Sequence, residues 1–348
     1  MIIPPNATLP QIESYIDDQF IRTWYEAQMA AADNILDANV LWALLKTRGR
    51  MIKQVGKEWI SKKILYGKGV AAPTSKTGTF TSGELQLHTM AMWRWKYTNS
   101  HVQRNIFDDQ VNVTSKEAAA GYVRDRLTAA REALVELFNT NLSAPMQANE
   151  TGEDLQGFND MIPPYESATT GTYGNIARPT AYAEVAQGVY APSAGNTWWG
   201  PRYKALSPNP DVNLIDDMRS LYNGIGNNVM PPNAIVTDQY LYELYEDFGL
   251  GKAQIVKRES GGLVDLGFTV LLFNGKDMVW DNSIQYNGKH QMLMLNLDYI
   301  DLTYDPNMWF AMGNWKEAML NGDKIAHILC ACNLVTDQLR RHGRLYEA

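Results

Sequence analysis

Cysteine is nearly absent: the 348 residues include two, Cys330 and Cys332. They stand two apart in an apolar run, where a strand turns both thiols to one face, a placement that rarely permits a disulfide. No histidine spacing accompanies them, so they are expected to be buried thiols acting as small hydrophobes, not zinc ligands. Nothing here implies an oxidising compartment. Long apolar runs are missing too. No segment reaches the 18 or so apolar residues of a membrane span, and no basic region followed by an apolar run opens the chain. A soluble, cytoplasmically made protein with no membrane partner is expected. Positive charge is in deficit, with 31 Lys and Arg against 38 Asp and Glu and a net charge of −7. That excludes the basic footprint of a dedicated nucleic-acid binder, though not a protein that encloses DNA without gripping it.

Catalytic signatures are missing as well. No G-x-x-x-x-G-K-[ST] loop occurs; the stretch from Gly49 to Lys57 has the wrong spacing and lacks the hydroxyl. Neither G-x-S-x-G nor H-E-x-x-H is present. The five histidines, His88, His101, His290, His327 and His342, lie far apart without ligand spacing. Asp108-Asp109 and Asp216-Asp217 are adjacent pairs whose carboxylates diverge on a helix by about 100°, which suits capping or solvation. The expectation is no catalytic residue, no cofactor, no metal and no enzyme.

What the sequence does have is a ribbon followed by a rod. From Leu85 to Tyr97 the residues alternate, with Leu85, Leu87, Thr89, Ala91, Trp93, Trp95 and Tyr97 on one side, as in a strand. Trp59 to Tyr66 is a candidate partner, with Ile60, Ile64 and Tyr66 alternating around Lys62. Between them lies a polar, Gly-rich stretch from Gly67 to Gly83 that offers nothing to a core. An isolated two-stranded ribbon is marginal in water, so this one needs a surface to lie on, and that surface is expected on another chain. The rod begins at a capping box, Thr114 to Glu117. Val123, Leu127, Ala130, Leu134 and Leu137 then recur at helical spacing to about Asn139. Its roughly 26 residues span about 39 Å.

Upstream, Ile12, Ile16, Phe20 and Trp24 follow four-residue spacing, and Val40 to Leu45 is a second apolar group. Downstream of the rod, Gly and Pro punctuate a low-regularity stretch to about Pro210. A helix over Leu214 to Tyr222 follows, then a buried strand over Ala234 to Thr237. A helix over Tyr240 to Phe248 is stopped by Gly249. Short strands come next: Gln254–Val256, Phe268–Phe273, Met278–Asp281, Gln291–Leu297 and Ile300–Tyr304, with Asn274-Gly275 and Asn287-Gly288 marking turns. Ile325 to Val335 reads as a buried strand. Trp93/Trp95 and Trp198-Trp199 could stack sugars, but packing or subunit contact is the expected use of such aromatics.

In this order the features resemble the major capsid protein of tailed bacteriophages, whose Hong-Kong-97-type fold encapsulin shells share. The segment starting GFND at Gly157, the TYGNIAR run from Thr172 to Arg178 and the pair Trp198-Trp199 are similar to a "GL", "TYGGI-R" and Trp-pair series of that family. Phe158 stands here for Leu and Asn175 for the second Gly. Residues 218–248 look like the family's axial helix–strand–helix. The resemblance implies an α+β fold. Residues 1–55 would be the N-terminal arm and 56–103 the E-loop hairpin. Residues 104–147 and 306–348 would form the peripheral domain with its spine helix at about 114–139, and 148–305 the axial domain.

The function so implied is structural: a virion head subunit, made in the host bacterial cytoplasm, forming hexamers and pentamers of an icosahedral shell around double-stranded DNA. Candidate subunit-contact residues are Lys68, Lys76, Phe80, Trp93, Trp95, Trp198 and Trp199. A separate scaffolding protein, a portal and a decoration protein are the partners implied, and an acidic lining would repel packaged DNA. An encapsulin-like compartment is the alternative within the fold. A Trp-rich carbohydrate-binding or hydrolytic module is the alternative outside it.

Overall fold

The computed structural model describes residues 17–24, 39–67, 73, 75, 78, 86–105, 116–147, 152–226, 230–252, 271–281, 284, 287–317 and 323–347. The Thr114 cap, the strand over Gln254–Val256 and the loop residues Lys68, Lys76 and Phe80 lie outside them.

The N-terminal apolar groups form two short helices, α1 over residues 17–24 and α2 over Val40–Thr47. Asn39 caps α2 by accepting from the Leu41 N–H at 2.9 Å, and every residue from Val40 to Leu45 is buried. These are core helices docked on their own chain. The Trp24 indole donates to the Phe310 carbonyl at 2.8 Å, and Trp42 packs edge-on against Phe138, 5.9 Å between centroids. Strand β1, Met51–Lys53, follows directly.

The ribbon is β2, Trp59–Leu65, paired antiparallel with β3, His88–Arg94. The alternation expected to run unbroken to Tyr97 stops at Trp95. After that one residue β4, Lys96–Asn105, begins with the opposite face inward, so Tyr97 is exposed while Lys96 is buried. A one-residue offset in a period-two pattern exchanges the faces. The spine helix α3 runs Lys116–Leu142. Val123, Leu127, Ala130, Leu134, Phe138 and Leu142 form its buried stripe, and Leu137 lies half-buried beside it.

Beyond α3 come α4, Phe158–Met161, and the hairpin of β5, Thr172–Tyr173, and β6, Ile176–Ala177. Gly174 and Asn175 turn that hairpin with φ of 61° and 57°, a conformation that Asn tolerates almost as Gly does. Asn175 therefore adopts here the left-handed backbone that a glycine would take at the same position. Next are β7, Ala181–Ala186, β8, Val189–Ala194, and β9, Arg202–Ala205. Helix α5, Pro210–Gly226, strand β10, Ala234–Thr237, and helix α6, Gln239–Lys252, follow. Helix α6 passes through Gly249 instead of stopping there. One glycine costs a helix about 1 kcal/mol, too little to end one held by packing. The remaining strands are β11, Leu271–Phe273, β12, Lys276–Trp280, β13, Gln291–Leu295, and β14, Ile300–Tyr304. Last come β15, Ala311–Met312, β16, Lys316–Glu317, β17, Asp323–Thr336, and β18, Gly343–Tyr346.

Apart from the two-stranded pairs β2–β3 and β5–β6, two larger sheets organise the described strands. In the first, β17 carries β4 along one side and β14, β15 and β16 in succession along the other, with β1 parallel to β14 at the edge. Spine helix α3 covers the face that presents Thr98, Ser100 and Val102, and the Ser100 hydroxyl donates to the Ala130 carbonyl at 3.2 Å. Cys330 and Cys332 sit in this central strand as buried free thiols 3.8 Å apart.

The second sheet is ordered β11-β12-β10-β13-β18-β9-β8-β7. Ile235, Met278, Met292, Met294 and Leu345 pack with α5 and α6 on one face, while Ala234, Val236, Leu293 and Leu295 join the main core on the other. Burial on both faces explains why β10 and β13 read as continuous apolar runs. The sheets trade strands across the boundaries the resemblance implied. Ile300–Tyr304 lies in the first sheet, and Gly343–Tyr346 lies within the second.

Candidate assembly interface

The ribbon has two chemically different faces, set by its register. Ile60 opposes Trp93, Lys62 opposes Ala91 and Ile64 opposes Thr89. Ile60, Ile64, Ala91 and Trp93 are buried in the core of their own chain. The other face carries Ser61, Lys63, Leu65, His88, Met90, Met92 and Arg94, and on it Leu65 and Met90 are 58% and 55% exposed. The surface that supports the described half of the ribbon is therefore internal, where another chain was expected. The expected loop tip, beyond Gly67, falls on residues mostly outside those described.

Four contacts fasten the inner face. The Met92 N–H donates to the Gly174 carbonyl at 2.9 Å, which docks the ribbon on the β5–β6 hairpin. Trp93 meets Tyr173 edge-on at 5.7 Å. A Cβ added at Gly174 would lie 2.9 Å from two carbons of the Trp93 indole, so glycine is required there for close approach as well as for its φ. Tyr66 stacks on Trp198 at 5.0 Å and 25°.

The fourth contact is ionic. Lys62 is the one polar residue midway along the buried face, and its Nζ donates to Asp301 Oδ2 and, at 2.5 Å, to Asp337 Oδ1. Arg50 Nη2 meets the other Asp301 oxygen at 2.6 Å. Burial pushes the Asp301 carboxyl above its ordinary value, and Lys62 and Arg50 oppose that shift. This four-residue network joins the segment before β1, the ribbon, β14 and the turn after β17. Sequence reasoning placed Lys62 in the strand without giving it a partner. The available signal was a lysine on the apolar side of an alternating strand, which needs a counter-ion when buried.

A buried polar junction lies behind the β5–β6 hairpin. Arg178, closing the TYGNIAR run, donates to the Asp160 carbonyl and stands 5.6 Å over the Tyr173 ring. Arg344 of β18 donates to Asn159 Oδ1. The Asp160 carboxylate accepts from the Gln147 and Gly157 N–H groups at 2.6 and 3.0 Å, yet burial still raises its pKa to about 6. Asn333 donates to the Arg94 carbonyl and to Gln156 Oε1 at 2.9 and 3.0 Å. The similarity quoted for residues 157–178 thus falls on the scaffold beneath the ribbon.

Of the candidate contact residues, Trp93 and Trp199 are both 0% exposed. A side chain without accessible surface has none to give a neighbour, so their anchoring is internal, as core packing of large aromatics favours. Trp199 donates its indole N–H to the Tyr173 carbonyl at 2.9 Å. Trp95 and Trp198 are half-buried, and Trp95 donates to the Lys57 carbonyl at 2.8 Å at the base of the ribbon. The structure brings Trp93, Trp198 and Trp199 together through Tyr173 and Tyr66, and leaves Trp95 apart from them. Lys68, Lys76 and Phe80 are outside the described residues. Among the described residues, no group of three or more His, Cys, Asp or Glu side chains could hold a metal ion. No described helix is long and apolar enough to cross a membrane.

No protein-family model matches the sequence, and no curated protein matches it. Solved structures do match. The capsid asymmetric unit of cyanophage A-1(L) has a TM-score of 0.57 at 16% identity, over 85% of this chain and 89% of that one. A chain of Mycobacterium phage Ogopogo has a TM-score of 0.50 at 6% identity, over 86% and 91%. The capsid of a native GTA particle has 0.50 at 8%, over 87% and 90%. At such identities the likeness lies in the path of the chain. With its ribbon, its long helix and its two strand-exchanging sheets in that order, the chain has the Hong-Kong-97-type capsid fold.

Proposed function

We propose that the chain is the major capsid subunit of a tailed double-stranded DNA bacteriophage, assembling through hexamers and pentamers into an icosahedral shell. The observation that carries this is the ribbon: its root is locked into the subunit by Trp93, Lys62 and Gly174, while its outer face exposes Leu65 and Met90. A rigid root beneath a face that exposes Leu65 and Met90 among charged side chains suits a contact made with a neighbouring copy. Two of the structures compared above are described as capsids, which agrees with this reading. In it, residues 1–55 act as the arm, 56–103 as the E-loop, 104–147 with 306–348 as the peripheral domain and 148–305 as the axial domain. Lys68, Lys76, Phe80, Trp95 and Trp198 contact neighbours. A scaffolding protein and a portal complete assembly in the host cytoplasm, and the net charge of −7 keeps packaged DNA from adhering to the wall.

The test is sedimentation and negative-stain microscopy of the purified protein, alone and with residues 68–82 deleted. The intact chain is expected to form closed particles, and the deletion a folded subunit that forms none. Closed shells from the deletion would remove the E-loop from the mechanism. A monomeric intact chain that binds glycans saturably would replace the shell reading altogether.

A further inference from the structure

Histidines 226 positions apart in the sequence are neighbours in the fold. His101 in β4 and His327 in β17 are direct cross-strand partners in the first sheet. Directly opposed residues share one face of an antiparallel pair, with Cβ atoms roughly 4.5–5.5 Å apart. On both strands the residues before and after are buried, Ser100 and Val102 on β4 and Ala326 and Ile328 on β17, while the two histidines are exposed. Alternation thus turns both imidazoles to the face opposite α3. Neither side chain has a hydrogen-bond or ion-pair partner among the described residues.

A glycine stands beside His327. On the far side of β17 the Gly313 N–H donates to the His327 carbonyl at 2.7 Å, and a Cβ built at Gly313 would meet only that carbonyl, at 3.5 Å. Gly313, the residue paired with His327 on that side, carries no side chain of its own to cover the ring.

We propose that His101 and His327 form a two-histidine chelate for a divalent transition-metal ion on this face of the sheet, with water completing the coordination. Imidazole nitrogens bind such ions at about 2.0–2.1 Å, and two rings on facing strands can converge on one ion at that distance. With two nitrogen ligands and no imposed cage, affinity follows the order Co²⁺ below Ni²⁺ below Cu²⁺. The inference rests on strand register and exposure, and does not depend on the assembly reading.

The test uses the full-length protein, stripped with a chelator and titrated with NiCl₂ by calorimetry. One Ni²⁺ per subunit is expected. Losing even an outer-shell partner of a metal site costs tenfold or more, so His101→Gln and His327→Gln should each weaken binding by at least about tenfold. Both variants should melt with the wild type when no metal is present, because both side chains are exposed and unpartnered. A wild type that takes up no Ni²⁺, or variants that bind as it does, would overturn the proposal.

Discussion

Lys62, facing inward from the middle of β2, donates to the buried carboxylate of Asp301 in β14, and so pins the ribbon to the first sheet. Asp301 is 2% exposed, and if the lysine were removed Arg50 would be its remaining cation among the described residues, with the like charge of Asp337 still acting on it. Breaking a buried pair on one side costs about 3–5 kcal/mol, and Arg50 keeps this case near the lower figure. Lys62→Met should lower stability by about 3 kcal/mol in urea unfolding. The double change Lys62→Met with Asp301→Leu should recover part of that loss. A double variant no better than the single one would show that the ion pair is not what Lys62 contributes.

Gly174 and Trp93 make a second exacting contact. Gly174→Ala places a methyl group against the indole at a backbone φ of 61°. Left-handed strain and overpacking together should cost about 2–3 kcal/mol. Asn175→Gly keeps the same turn and should fall within about 0.5 kcal/mol of wild type by thermal denaturation.

The two tryptophans of the pair 198–199, together with Trp93, should separate by burial. Trp93→Ala and Trp199→Ala each empty a core position and should cost about 3–5 kcal/mol. Trp198→Ala removes its stack on Tyr66 and its contact with Trp199 from a half-buried position and should cost less, about 1–2 kcal/mol. If the shell reading is right, Trp198→Ala alters particle yield more than it alters the melting temperature.

The pH dependence follows from two buried groups of opposite sign. Asp160 titrates near 6 in the folded chain against an ordinary 3.8, so its share of stability is fullest below about pH 4 and is lost as pH rises through 6. His342 is lowered from 6.5 to about 3 by burial, so its share is full above 6.5 and is lost as pH falls toward 3. The Asn296 N–H donates to its Nδ1 at 3.2 Å, and its Nε2 faces the Thr336 hydroxyl at 3.1 Å. That hydroxyl already donates to the Tyr299 carbonyl, so Nε2 carries the proton, and a second proton at Nδ1 would break the Asn296 bond. Each pH unit is worth about 1.4 kcal/mol per group, so the two slopes cancel between roughly pH 4 and 6. Asp160→Asn should leave stability falling with acid across that window, and His342→Gln should leave it rising. Chemical denaturation at pH 4, 5, 6 and 7 reads the slopes, and three identical slopes would refute the assignment.

Local rules carried the sequence reading as far as they reach. The β2–β3 pairing, the α3 stripe, the Asn274-Gly275 turn and the like-facing thiols of Cys330 and Cys332 all follow from period and turn chemistry. What they could not give was the partner of each strand. Nothing in the segment Met51–Lys53 says that it lies parallel to Ile300–Tyr304, and nothing in Lys62 points to Asp301. The break at Trp95 was invisible because the apolar pattern continues through it, and the change of face comes from the partner strand β17. The histidines looked scattered for the same reason: spacing along a chain is no guide to register across a sheet.

The order in which the second sheet can be completed follows from the place of β18. Of that sheet's eight described strands it is the last in the sequence, yet β13 and β9 flank it on either side. A ribosome delivers the seven others first, so during synthesis they form two separate groups with an open seam between them. Each group exposes an unpaired strand edge until residues 343–346 arrive. This sheet is thus kept from its final shape until residues 343–346 have been made, and the exposed seam is where a chaperone, or a misplaced strand from another nascent copy, would bind first.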